Sequence, residues 1–194
     1  MIILFVLLVL FGVLHSVLAD LRVKEWFKGR MGEAFKFYRV AYNIFFAAML
    51  GGIIYILAVT QQPVYVFNPT KTLQYGAIAL VIIGTILMIV SFASFDLSEF
   101  IGFSYLGERE QKIEKLRIGG LYKYVRHPLY FAIFVLFAGL FLLHPTQMNL
   151  VAVGFMYFYT YVGATLEEKK LMQVFGADYV NYRKRVKMLI PFIF

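Results

Sequence analysis

The sequence predicts an all-α, polytopic integral membrane protein: five transmembrane helices, a C-terminal helical hairpin among them, and a cytoplasmic helix after the last span. Three observations predict it. Of 194 residues, 61% are hydrophobic and only 15% are charged, against about 45–50% and about 25% in soluble domains. A soluble core cannot hide that much apolar side chain, because the surface needs polar cover. Five stretches approach the roughly 20 apolar residues that cross a bilayer. Of the 19 basic residues, 18 fall in alternate segments between those stretches. Together these features exclude a soluble globular enzyme, a disordered chain and an ordinary nucleic-acid module. The chain has no Cys, which excludes disulfides, thiolate metal sites and Cys nucleophiles.

The first span, residues 1–19, carries no formal charge. Val17-Leu18-Ala19 before Asp20 has the small-residue look of a cleavage site. A signal peptide begins with basic residues, however, and this chain begins Met1-Ile2-Ile3-Leu4, so the reading is an uncleaved span. Residues 40–59 are apolar apart from Asn43, and residues 73–95 contain Gly76 and Gly84. Residues 129–143 form a shorter span that borrows Pro128 at its start. Residues 149–166 are rich in aromatics. His144-Pro145-Thr146-Gln147 joins the last two spans and permits only a tight hairpin.

Basic residues mark the cytoplasmic side. Residues 20–39, 96–128 and the tail after Leu166 carry all but Lys71. The N-terminus is therefore expected outside, with the C-terminus and the polar face in the cytoplasm. The net charge of +8 mainly records orientation and gives no reason to expect nucleic acid. The expected organisation is a single membrane domain, 1–194, with a three-span part (1–113) and a C-terminal part (114–194). Met188 to Phe194 form an apolar tail that would dock on the membrane surface or cover a ligand.

The polar residues that are not plain loop dressing gather at the two ends of the hairpin. Entering it are Tyr122, Lys123, Tyr124, Arg126, His127, Pro128, Leu129 and Tyr130. Leaving it are Glu167 and Glu168. An antiparallel hairpin brings these ends to one side of the membrane. Each piece also has a structural reading. Pro suits a first helical turn, Arg and Tyr suit the interface, and Glu167-Glu168-Lys169-Lys170 can be a solvated helix. An acid pair at the lip of an apolar span is costly unless paired or hydrated, which favours a site. Gly163 and Ala164 lie one turn before Glu167, leaving room for a ligand or for close helix packing. His15 in the first span fits a hydrogen-bonding role within the bundle, and Asp96 and Glu99 fit caps after the third span. No metal site is expected from three His and no Cys.

The blocks Gly120-x-Tyr122-x-x-x-Arg126-His127-Pro128-x-Tyr130 and Glu167-Glu168-x-x-Leu171-x-x-x-Phe175-Gly176-x-x-Tyr179-x-x-Tyr182, separated by one hairpin, resemble the isoprenylcysteine carboxyl methyltransferase family and the wider phospholipid methyltransferase group. The resemblance implies a membrane enzyme using S-adenosylmethionine, with S-adenosylhomocysteine as product. It also implies a cytoplasmic-facing cofactor pocket and a lipophilic or prenylated substrate arriving from the lipid bilayer. Carried over by position, Glu114, Lys115, Leu116 and Arg117 with Tyr122 would line the cofactor pocket. His127, Pro128, Leu129 and Tyr130 would contact the cofactor, and Glu167 would hold its polar groups. Arg126, His127, Glu167 and Glu168 would be the catalytic set. Eukaryotic members that methylate prenylcysteine carry an Arg four residues before the acid matching Glu167, where this chain has Gly163, and this chain has fewer spans than those enzymes.

A carboxylate acceptor is ionised at neutral pH, so alignment and exclusion of water would be the enzyme's main work. Tyr122 or Tyr130 could face a sulfonium, and Arg126 could hold a carboxylate. An amine acceptor, as in phospholipid N-methylation, would need a base, with His127 or Glu168 as candidates. A sterol-reductase-type enzyme using NADPH is the rival, with Arg183-Lys184-Arg185 for a 2′-phosphate. Haem is disfavoured, because His127 and His144 fall at opposite ends of the hairpin and cannot share one iron.

Overall fold

The structure, a computed structural model, describes residues 1–59, 64–93, 101 and 116–194. Glu114, Lys115, Asp96 and Glu99 lie outside the described residues. Among the described residues six α-helices follow in chain order: α1 (Ile2–Ala19), α2 (Leu21–Met31), α3 (Tyr38–Val59), α4 (Lys71–Phe92), α5 (Pro128–Leu143) and α6 (Gln147–Arg185). Short 3-10 turns occupy Gly32–Phe37 and Gly120–Lys123. Among the described residues there are no strands, only isolated bridges. The protein is an all-α polytopic membrane protein. Four helical stretches among the described residues are long and apolar enough to span a bilayer, and α5 is a shorter apolar helix.

Local chemistry sets the helix starts. Asp20, Thr70 and Thr146 each accept a backbone N–H of the first turn of α2, α4 and α6, from Arg22, Leu73 and Asn149 respectively. Pro128 opens α5, where a missing N–H costs nothing. The exposed surface is apolar: Ile82, Ile86 and Ile89 of α4 are more than half exposed. In water such a face would drive aggregation; in lipid it is the expected solvent contact.

The chain packs as two compact units, Met1–Val64 with Phe95–Gln111 and Tyr65–Ser94 with Lys112–Phe194. The helix α4, grouped by sequence with the N-terminal part, packs with the C-terminal hairpin. In the first unit α1 meets α3 through an aromatic cluster. His15 lies among Phe11, Tyr42 and Phe46, with ring centroids 4.9–5.8 Å away. Tyr38 donates to the Leu18 carbonyl at 2.7 Å, so the polar tips of the cluster are used inside the bundle.

In the second unit α4 and α5 approach until backbone meets backbone. A Cβ at Gly84 would sit 2.6 Å from Leu136 N, and one at Gly139 would sit 2.8 Å from Ala77 O and Val81 N. Ala77 and Ala132 are fully buried in the same seam. Small residues are how membrane helices gain close van der Waals contact, since lipid gives no hydrophobic drive between them. Gly139→Ala must push two helices apart. It is expected to cost about 1–3 kcal/mol, read as a fall of several degrees in the thermal midpoint of the detergent-solubilised protein. An unchanged midpoint would refute the tight seam.

Helix α6 covers 39 residues; its unbroken part before Gly176 is about 44 Å long at 1.5 Å per residue, well beyond the apolar thickness of a bilayer. Its charge-free part, residues 147–166, spans about 30 Å by the same rise. Glu167 and the charged residues after it therefore stand outside the membrane-spanning segment, while the apolar tail lies back against Phe134, Tyr157 and Tyr161. Gly176 (φ 52°, ψ −127°) breaks the helical path. That conformation belongs to glycine, so α6 consists of two rods, the second turned back so that Tyr179 and Arg183 reach Glu168 of the first.

Candidate functional site

The segment entering α5 runs through the 3-10 turn Gly120–Lys123, closes it at Tyr124 and then extends across residues 125–127. Its backbone groups need partners, and the C-terminal tail supplies them. Arg126 N donates to Lys187 O at 2.8 Å and His127 N to Met188 O at 3.1 Å. Beyond them the tail turns back on itself, with Leu189 and Ile190 N–H groups donating to Phe194 O. Leu189 is buried. The tail is thus the partner of residues 125–127, and it fixes the main chain from which Arg126 and His127 project.

Those two side chains meet the acid pair of α6. Glu168 is 4% exposed, and both its oxygens are taken. Arg126 grips it as a fork, Nε to Oε1 at 2.8 Å and Nη2 to Oε2 at 3.0 Å. His127 Nε2 lies 3.0 Å from Oε1; a carboxylate only accepts, so this nitrogen carries the proton. Tyr179 donates to Oε1 at 2.6 Å, and Arg183 Nε approaches Oε2 at 3.3 Å. Burial pushes the Glu168 carboxyl upward in pKa, but hydrogen bonds from His127, Arg126 and Tyr179 outweigh it and hold the value at about 2. The remaining Arg126 nitrogen donates to the carbonyls of Arg183 and Val186. Arg126 is thereby spent within the protein, as is Glu168.

Glu167 points the other way. Its side chain is 44% exposed, and Tyr130 donates to Oε2 at 2.9 Å. His127 Nδ1 lies 3.6 Å from the same oxygen, and the His127 ring stacks on Tyr130 with centroids 5.4 Å apart. Tyr122 completes this surface. Burial raises its phenol pKa and the Arg117 charge lowers it, while the Glu167 charge raises it again. Arg117, Tyr122 and Glu167 thus form one electrostatic neighbourhood. The Tyr122 main chain is held by Tyr182, whose hydroxyl donates to Tyr122 O at 2.6 Å.

The structure therefore gathers Arg117, Tyr122, Arg126, His127, Tyr130, Glu167 and Glu168. Pro128 is buried at the start of α5 and Leu129 is half-buried beside it. Leu116 is half-buried at the beginning of the segment. Among the described residues no cluster of three His, Asp or Glu could hold a metal. In the sequence Tyr179 and Tyr182 stand only as part of the motif and Arg183 has a place only in the NADPH alternative, so none of the three is expected at this site. Their signal was there as two tyrosines and an arginine on one side of a short helix that begins after a glycine. Gly163 and Ala164 take different roles: Ala164 is fully buried, whereas a Cβ on Gly163 would meet open space.

This arrangement can do two things chemically. The inner network, centred on Glu168, is closed and offers no free acceptor. The outer surface, centred on Glu167, offers an ionised acceptor beside aromatic faces and a cation, which suits a ligand carrying both charges.

The family model described as NnrU protein matches residues 3–191. A methanethiol S-methyltransferase from Crocosphaera subtropica is 30% identical, over 96% of this chain and 73% of its own length. Methanethiol S-methyltransferase 1 of Bradyrhizobium diazoefficiens is 28% identical over 95% of this chain and 65% of its own. A third such enzyme, from Pseudomonas deceptionensis, is 29% identical over 95% and 70%. The chain thus spans about two thirds to three quarters of the length of these relatives. No solved structure matches it. The chain belongs to the NnrU family and, with these relatives, to the isoprenylcysteine carboxyl methyltransferase-like group of membrane methyltransferases.

Proposed function

We propose that the protein is a membrane methyltransferase that uses S-adenosylmethionine and methylates the sulfur of a small thiol. The observation that carries this reading is the exposed Glu167 carboxylate between Tyr130, His127 and Tyr122, with the Arg117 charge acting on the Tyr122 phenol. A donor with an ammonium, a carboxylate and a sulfonium needs an anion, a cation and aromatic faces, and this surface has all three. The relatives, methanethiol S-methyltransferases by name, favour sulfur as the acceptor atom. A carboxylate acceptor would want a free cation, and Arg126 is committed to Glu168 and to main-chain carbonyls.

When bound, S-adenosylmethionine supplies an activated methyl group. Glu167 would hold the donor's ammonium or ribose hydroxyls, and Arg117 would hold its carboxylate. Tyr122 and Tyr130 offer ring faces to positive charge. His127 is fixed by Glu168 through Nε2 and orients Tyr130 by stacking. A thiol reacts as its thiolate, so its proton must leave. Glu168 has no free lone pair for that proton, which leaves His127 Nδ1 and Glu167 as the groups facing the reaction. The basic bias of the loops supports an orientation with the N-terminus outside and this site in the cytoplasm.

Methyl label from S-adenosylmethionine should appear on methanethiol or a similar small thiol when the purified full chain is offered a panel of thiols, prenylcysteine analogues and phospholipids. Label on a prenylcysteine carboxylate or a lipid amine would overturn the acceptor assignment. Binding of NADPH without binding of S-adenosylhomocysteine would overturn the donor assignment.

A further inference from the structure

The residues that hold the two sides of the site together lie beyond Gly176. Tyr179 is 1% exposed and is bound to Glu168 through its hydroxyl. Tyr182, three residues on and also buried, reaches the main chain of Tyr122. Arg183 adds an ion pair to Glu168. The same rod then ends in the carbonyls that accept from Arg126 and His127.

Neither tyrosine faces the surface around Glu167. Each touches the site through another group: Tyr179 through the inner carboxylate, Tyr182 through a carbonyl of the entry segment. A buried hydroxyl placed on a backbone carbonyl has only one reason to be polar, since phenylalanine would fill the same volume. The glycine between the rods supplies the turn that aims both hydroxyls. A Cβ at Gly176 would meet no neighbour, so its importance lies in its φ of 52° and not in space.

We propose that Tyr179 and Tyr182 are positioning residues for the methyl-donor site: the rod after Gly176 is a clamp that joins Glu168 on α6 to Tyr122 on the entry segment and so sets the distance between Glu167 and Tyr122. This rests on the reading that Glu167 and Tyr122 face the donor. The clamp acts on donor binding and leaves the acceptor side alone. Losing one clamp hydroxyl loosens the entry segment without unfolding it, because the Val125–Lys187 bridge and the tail hydrogen bonds remain.

The test uses the full chain in detergent. Affinity for S-adenosylhomocysteine is measured by calorimetric titration, and initial rates are measured while donor and thiol are varied separately. Tyr182→Phe should weaken S-adenosylhomocysteine about fivefold, the scale of one net hydrogen bond. It should raise the donor KM by a similar factor and leave the thiol KM and kcat within about twofold, the error of such a comparison. Tyr179→Phe should act in the same direction, and Gly176→Ala more strongly. Unchanged affinity in Tyr182→Phe, or donor KM, thiol KM and kcat all moving together, would overturn the clamp. Glu167→Gln is measured alongside. If it weakens binding while Tyr182→Phe does not, only the clamp falls; if it leaves binding unchanged, the donor-site reading falls and takes the clamp with it.

Discussion

Glu168→Ala is expected to cost the protein about 3–5 kcal/mol of stability, the scale on which a buried ion pair loses one partner. The acid is 4% exposed and Arg126, its main partner, has an 8% exposed side chain. Removing the carboxylate strands a buried guanidinium and leaves the Tyr179 hydroxyl and the His127 Nε2 proton without their acceptor. It also opens a cavity where the chain makes its last turn. The measurement is the thermal midpoint and folded yield of the detergent-solubilised protein. Glu167→Ala serves as the control, since a half-exposed acid with one hydroxyl partner should cost about 1 kcal/mol or less. Equal effects of the two substitutions would refute the division into inner and outer acids. The pH dependence follows from the same pairing. Above its unfolded value of 4.5 the Glu168 carboxyl is ionised in both states, and the stabilisation of its folded form is fully present. It is lost only as pH falls from there through about 2. The contribution should be flat across neutral pH and vanish in strong acid.

Much of this site was legible in the sequence for reasons of topology. Two apolar spans joined by His144-Pro145-Thr146-Gln147 must return to one side, and that alone placed Arg126, His127 and Tyr130 near the acid pair. The spans were legible because lipid excludes charge, and the stretch from Gln147 to Leu166 has none. Which acid would be buried was not legible. Glu167 and Glu168 are adjacent and chemically alike, and they differ only in being about 100° apart around the helix. That angle selects a face only when the packing of α6 is known. The tail was equally opaque. Its pairing with residues 125–127 is a long-range match of backbone groups that leaves no trace in side-chain pattern. Glycines also resist reading: Gly84 and Gly139 lie against backbone, Gly163 faces open space and Gly176 turns a helix, yet each is simply Gly in the sequence. The place of α4 beside α5 rests on the first two of these.

Glu167→Gln should weaken binding of S-adenosylhomocysteine at least tenfold while leaving the protein folded. The substitution keeps the volume and one carbonyl oxygen for the Tyr130 hydroxyl, so the local hydrogen bond at 2.9 Å can survive. It removes the charge. A hydrogen bond to an ionised partner contributes about 1.5–3 kcal/mol, which is about a factor of 10–100 in affinity, and only the donor's ammonium or hydroxyls would draw on it. The inner network is untouched, because Arg126, Tyr179 and Arg183 all address Glu168. The thermal midpoint without ligand should therefore move by no more than a degree or two, the scale of about 0.5 kcal/mol. Calorimetric titration and a thermal scan on the same preparation separate the two effects. A lowered midpoint with unchanged affinity would mean that Glu167 is a structural acid and that the donor lies elsewhere. Tyr130→Phe provides the graded companion. It frees the Glu167 carboxylate from its one hydroxyl donor without removing the charge, so affinity should fall only about two- to fivefold, the scale of a lost positioning hydrogen bond. A loss larger than that of Glu167→Gln would shift the donor contact from the carboxylate to the phenol.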